Sequence, residues 1–178
     1  SYARAGALQA VVLPYADTAF ECIAVAPGSD APADAVVSAL REARMAGVMG
    51  GLRFAPALVE LALPRCQAEA TTDLLRDLQP TSLGPAFRDA AEYGGMLGIP
   101  TRIARAVQKT FLRMDESGTE AAAATAIVQQ SRGAPSRPPE RIVFRADAPF
   151  LVAVRHRASG IFVVLALIAE PGAIPANG

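Results

Sequence analysis

Apolar runs of strand length, separated by breaks rich in proline, glycine and aspartate, dominate this chain. Residues 7–13 and 19–26 are two such runs, joined by Pro14-Tyr15-Ala16-Asp17-Thr18, and the pattern predicts a β-hairpin. Pro27-Gly28-Ser29-Asp30 ends the second run. Over residues 33–46 the period changes. Val36, Val37 and Leu40 stand at helical spacing, with Asp30 and Pro32 upstream and Gly47 beyond the end, which predicts one helix. Residues 47–51, GVMGG, predict only a turn, because they lack the spacing and the lysine of a phosphate-binding loop. Residues 58–63 and 65–71 read as strands on either side of Pro64. Residues 72–78, with Asp73 near the positive end, and residues 86–92 read as short helices. Gly94-Gly95 and Gly98 mark a loop. Residues 103–114 predict a long strand.

Beyond Pro135, Pro138 and Pro139 come three closing strands at residues 141–145, 150–157 and 161–169, with Ala158-Ser159-Gly160 as the turn between the last two. Those two are almost continuously apolar, which predicts burial on both faces. The tail after Pro171 is expected to be loose. The sequence shows no internal repeat. Many strands with a few short helices make the fold class α+β.

Residues 115–128, DESGTEAAAATAIV, admit two readings. Alanine is the best helix former, and Ser117 with Glu120 three residues later fits a capping box, so one reading is a surface helix. The other is an extended segment of small side chains. A polar stretch, Gln129-Gln130-Ser131-Arg132-Gly133, follows it.

Composition narrows the function classes. The 178 residues are 52% hydrophobic and 19% charged, which marks a folded globular chain with room for one domain. The net formal charge of zero gives no basic footprint for nucleic acid or an anionic membrane. The longest apolar runs are too short to span a bilayer as a helix. Two cysteines, Cys22 and Cys66, and the single His156 do not make an ordinary metal site, and no cofactor is expected. The cysteines form one disulfide or stay as buried thiols; spacing does not choose between these. His156 is read as structural, and with one histidine and no ordered Ser or Asp partner no catalytic residue is assigned. A small hydrolase is therefore disfavoured. Ser1 is read as an interior point of a longer protein. Lys109 is the only lysine against many arginines, which points to a GC-rich bacterial gene.

Four blocks resemble the serpin family of serine protease inhibitors. They are LPY at residues 13–15, VELALPR at 59–65, AVQKTFLRMDESGTEAAAATA at 106–126 and FRADAPFLVAVRH at 144–156, the last followed by SGIF and a closing Glu170-Pro171. The similarity runs from Tyr2 to Pro171. It implies a partial serpin fold: residues 1–178 as the C-terminal portion of a single inhibitor domain, with the reactive loop at about residues 115–140 and the N-terminal half as a missing partner. Without the strands of that half, the chain's open sheet edges are expected to aggregate or dimerise.

The resemblance gives residues 115–128 a mechanical reading. In this family the target protease cleaves the loop, which then inserts as a strand into the main sheet. The hinge would be Glu116, Gly118, Thr119, Glu120, Ala121, Ala122, Ala123, Ala124 and Thr125. Alternate side chains of a strand face opposite ways, so Thr119, Ala121, Ala123 and Thr125 would enter the core together and bury no charge. Glu120 falls on the other face, and Gly118 supplies a permissive pivot.

Counting the family's usual hinge length from Glu116 reaches Arg132, which makes Arg132–Gly133 the reactive bond and a trypsin-like serine protease the partner. Counting back from residue 144 would instead move the bond to Ala134 or Pro135; the hinge count is preferred because inserted length must match the sheet. Arg65 and Glu116 match an acid–base pair at the point where the loop enters the sheet. Gln108 stands where many relatives carry a gating histidine, and Ala166-Leu167 where Gly-Arg is common. These two departures keep a non-inhibitory carrier or chaperone as the alternative. Family resemblance implies a secreted or periplasmic location.

Overall fold

The computed structural model describes residues 1–88, 93, 95, 98, 102–115 and 141–171. The first long apolar runs form the predicted hairpin, β2 (Leu8–Pro14) against β3 (Phe20–Pro27), in antiparallel register from Leu8↔Pro27 to Pro14↔Glu21. A short strand that the apolar pattern does not announce, β1 (Tyr2–Ala5), pairs with β2. Its turn is the two-residue loop Gly6-Ala7, in which Gly6 takes φ +59, a left-handed conformation that side-chain-bearing residues rarely hold.

The helical stretch divides in two. α1 (Ala35–Arg41) and α2 (Met45–Gly51) are separated at Ala43, which has φ 53, and the Arg44 N–H donates back to the Ala39 carbonyl at 2.9 Å. One continuous helix and a glycine turn were expected; the structure instead puts the glycine-rich stretch inside α2. Glycine costs a helix about 1 kcal/mol per position relative to alanine. Met45, Val48 and Met49 share one face at helical spacing and pack on the core, and that burial offsets the cost.

After α2 come β4 (Leu58–Ala62) and β5 (Cys66–Asp73), the one-turn α3 (Leu75–Leu78) and a 3₁₀ turn at Gly84–Phe87. The chain continues through β6 (Val107–Met114), β7 (Arg141–Arg145), β8 (Phe150–His156) and β9 (Phe162–Ile168). The predicted short helix at residues 86–92 thus shows only a 3₁₀ turn over its first residues; residues 89–92 lie outside the described residues.

The chain divides into two compact units, Ser1–Gln67 with Arg113–Gly178, and Ala68–Leu112. In the first, five strands form a sheet in the order β1-β2-β3-β8-β9. The side chains of Leu8, Ala10, Ile23, Val25, Leu151 and Ala153 pack with Val36 and Ala39 of α1 and Met45 of α2. Residues of the opposite parity, Val11, Cys22, Ala24, Ala26 and Val152, are buried as well. That two-sided burial explains why β2, β3 and β8 read as long, mostly apolar runs, broken only by Gln9, Glu21 and the polar end of β8. Also in this unit, β4 and β7 pair in parallel from Leu58↔Arg141 to Ala62↔Arg145. In the second unit, β5 pairs with β6, and the Leu74 N–H donates to the Ala106 carbonyl at 2.7 Å.

β9 corrects one expectation. Among the described residues it is an edge strand, and Val163, Leu165 and Leu167 are 55%, 57% and 40% exposed. Only the intervening parity is shielded, so its apolar run is not buried on both faces.

Candidate functional site: a cavity beside the start of the predicted loop

The ends of β2 and β3 bring Leu13, Tyr15 and Cys22 to one side of a cavity of about 280 Å³. Leu13 and Cys22 are register partners, so their side chains leave the sheet on the same face. β4 supplies Leu61, and Leu63, just beyond the end of the strand, lines the cavity as well. Pro64 and Arg65 follow between β4 and β5, and Arg113, Met114 and Asp115, at the end of β6 and just beyond it, complete the lining. Most of the lining is apolar. Its charge is concentrated at Arg65, Arg113 and Asp115, and the Arg113 Nε donates to Asp115 Oδ2 at 3.1 Å.

Burial sets the chemistry of the inner wall. The Cys22 thiol is 4% exposed, and desolvation of its thiolate pushes its pKa up to about 11. The Tyr15 hydroxyl hydrogen-bonds the Cys22 sulfur, which partly counters that rise, while negative charge on Cys66 adds to it. Burial likewise raises Tyr15, and the Cys22 contact raises it further. Cys66, 5% exposed, is raised by burial. Neither cysteine is in a disulfide, which selects the buried-thiol alternative for this structure.

A thiol held protonated in the fold gives its full stabilisation below the unfolded pKa and loses it as pH rises through the folded one. Stability is therefore expected to fall by about 2–3 kcal/mol between pH ~9 and pH ~11 on account of Cys22. Urea unfolding at pH 7.5 and pH 10.5 measures this, and Cys22→Ala should flatten the difference.

Of the residues singled out from the sequence, Arg65 lies at the cavity and Gln108 lies exposed on β6. Glu116, Gly118, Thr119, Glu120, Ala121, Ala122, Ala123, Ala124, Thr125, Arg132 and Gly133 lie outside the described residues. So does the Arg65–Glu116 pair. Asp115, the residue before Glu116, does share the cavity with Arg65. Tyr15, Cys22, Arg113 and Asp115 were not foreseen as neighbours. Their only local signal is the Arg113/Asp115 spacing of two, which places both on one side of a strand.

His156 behaves as a structural residue. Its Nδ1 lies 2.8 Å from the Ser159 Oγ within the β8–β9 turn, and its ring packs on Phe20 with centroids 5.2 Å apart. Beside it, Glu21 faces its register partner Arg155. The Arg155 Nε donates to Glu21 Oε1 at 2.8 Å, and Arg157 approaches the other oxygen at 3.6 Å.

A family model described as Serpin (serine protease inhibitor) matches residues 2–171. The chain belongs to the serpin family. It is similar to serpin B8 of Bos taurus, 29% identical over 167 residues that cover 92% of this chain and 43% of that protein. Plasminogen activator inhibitor 1 of Sus scrofa is 30% identical over 162 residues, covering 89% of this chain and 38% of that one. Among solved serpin structures, Arabidopsis AtSerpin1 in its native stressed conformation aligns with a TM-score of 0.72 at 21% identity, over 96% of this chain and 45% of that chain. The thermophilic serpin tengpin in its native state aligns at 0.64 and 19%, over 95% and 43%. The fold is a partial serpin fold, mixed α and β with strands in the majority. The chain spans less than half the length of these serpins.

Proposed function

We propose that this chain is the loop-bearing C-terminal portion of a single serpin domain that inhibits a trypsin-like serine protease as a suicide substrate. It is not itself an enzyme, and it acts with the N-terminal half of the same fold in a secreted or periplasmic setting. The observation that carries the proposal is the alternation of small uncharged residues at Thr119, Ala121, Ala123 and Thr125 in a chain that belongs to the serpin family. The target cleaves Arg132–Gly133, and residues from Gly118 onward enter the main sheet. Fourteen residue steps of extended chain separate Gly118 from Arg132, so a protease acylated on Arg132 is carried about 46–50 Å. A dozen new backbone hydrogen bonds, at roughly 0.5–1.5 kcal/mol each, release on the order of 10 kcal/mol, enough to distort a bound active site. Arg65 and Glu116 hold the sheet closed until cleavage.

Gln108, in place of a gating histidine, favours the second reading of a non-inhibitory carrier or chaperone. Limited cleavage at Arg132 separates the two. The inhibitor is expected to melt well above its uncleaved form, because the loop has become a strand. An unchanged melting temperature would leave only the carrier.

A further inference from the structure

The cavity at the ends of β2 and β3 has the make-up of a small-molecule site. Its lining comes from separate segments of one compact unit, and its volume is about 280 Å³. That lies at the small end of the ~300–1,000 Å³ range of ligand pockets. Leu13, Leu61, Leu63, Pro64 and Met114 give it an apolar body, and each is only half-buried, which leaves apolar surface open to water. The Tyr15 hydroxyl and the Cys22 thiol add polar groups that stay neutral at pH 7, since burial raises the pKa of both. The charged groups of the lining are Arg65, Arg113 and Asp115, two cations against one anion. Arg65 and Arg113 are exposed and can be reached from solvent. A guanidinium carries five N–H donors, so each can hold a further acceptor beside the partners it already has, as Arg113 has Asp115.

We propose that this cavity binds a small apolar carboxylate, with its hydrocarbon part against Leu13, Leu61, Leu63 and Met114 and its carboxylate on Arg65 and Arg113. The excess of cations favours an anion over a cation. A ligand amine would have to compete with the Arg113 guanidinium for Asp115. The planar fork of a guanidinium matches the two oxygens of a carboxylate, and such charge-assisted bonds are about twice as strong as neutral ones. An apolar alcohol of the same length would keep the hydrocarbon contacts and lose that gain. A ligand of about a dozen non-hydrogen atoms suits a cavity of this size, and it is expected to bind with a Kd on the order of 0.1–1 mM. No step of cleavage or insertion is needed for this binding, so it stands or falls apart from the proposed inhibition.

The test is titration of the protein, its methionine methyl groups labelled with carbon-13, with 4-phenylbutyrate, 4-phenylbutanol and 4-phenylbutylamine at pH 7.5. The carboxylate is expected to saturate one site, about tenfold more tightly than the alcohol, and the amine is expected not to saturate. The Met114 methyl signal should shift, and that of Met45, buried against α1, should not. Arg65→Ala and Arg113→Ala should each weaken the carboxylate about fivefold or more and leave the alcohol unchanged. Leu61→Trp should abolish binding of both by filling the cavity. Should these variants fail to fold, the order of the three probes and the Met114 shift in the unmutated protein decide. Equal affinity for all three probes, tighter binding of the amine, shifts at Met45 without Met114, or no saturation by the carboxylate below about 10 mM would each overturn the proposal.

Discussion

Thr119→Arg is expected to turn the protein from an inhibitor into a substrate. Position 119 leads the set that faces inward when the segment becomes a strand, and an arginine there must be buried without a partner. That costs several kcal/mol on the path to insertion and nothing at the cleavage step. Each 1.4 kcal/mol slows a step about tenfold, so a penalty of about 3 kcal/mol delays insertion by more than a hundredfold. Hydrolysis of the acyl-enzyme then wins, and the number of inhibitor molecules consumed per protease inactivated rises from near one to far above it. Titration of trypsin activity reads this number directly. Glu120→Arg lies on the other face of the same strand and is expected to leave it near one. Equal effects at both positions would mean that the parity has no mechanical role.

Phe150→Ala is expected to cost about 3–5 kcal/mol of folding stability. Phe150 is fully buried at the start of β8, opposite Ile168 on β9, in a sheet packed on both faces. Its loss leaves a cavity that rigid strands on either side cannot fill. A melting temperature lower by about 10 °C or more is expected for a chain of this size. Leu165→Ala on β9 removes a comparable apolar side chain that is 57% exposed, and should change stability by about 0.5 kcal/mol or less. The contrast between the two separates burial from hydrophobicity. Similar losses at both sites would show that the outer parity of β9 is covered in solution.

That same contrast marks where sequence reading works and where it stops. β2, β3, β7, β8 and β9 are legible because apolar runs end at residues with a fixed backbone preference, such as Pro27-Gly28 or Ser159-Gly160. β1 is not, because YARA carries an arginine in a four-residue strand and gains its place only by pairing with β2. The division between α1 and α2 depends on a single left-handed alanine, Ala43, to which no sequence signal points. β4 and β7 pair in parallel across about eighty residues, a distance over which local pattern says nothing. β9 reads like β8 because an apolar run does not reveal whether a strand has one neighbour or two. The cavity is the least legible feature. Tyr15, Cys22, Arg65 and Asp115 belong to separate segments, and only the folded chain brings them together. The reactive residues are the reverse case: residues 116–133 are read entirely from sequence, through their alternation and spacing and through the resemblance of the hinge block.

The most direct measurement is to mix the protein with a small molar excess of trypsin and resolve the products by denaturing electrophoresis and mass spectrometry. Suicide inhibition predicts a covalent band at the mass of protease plus inhibitor less the peptide from Gly133 onward, stable to boiling in SDS, together with that released peptide. Complete cleavage with free, active trypsin and no covalent band would contradict it.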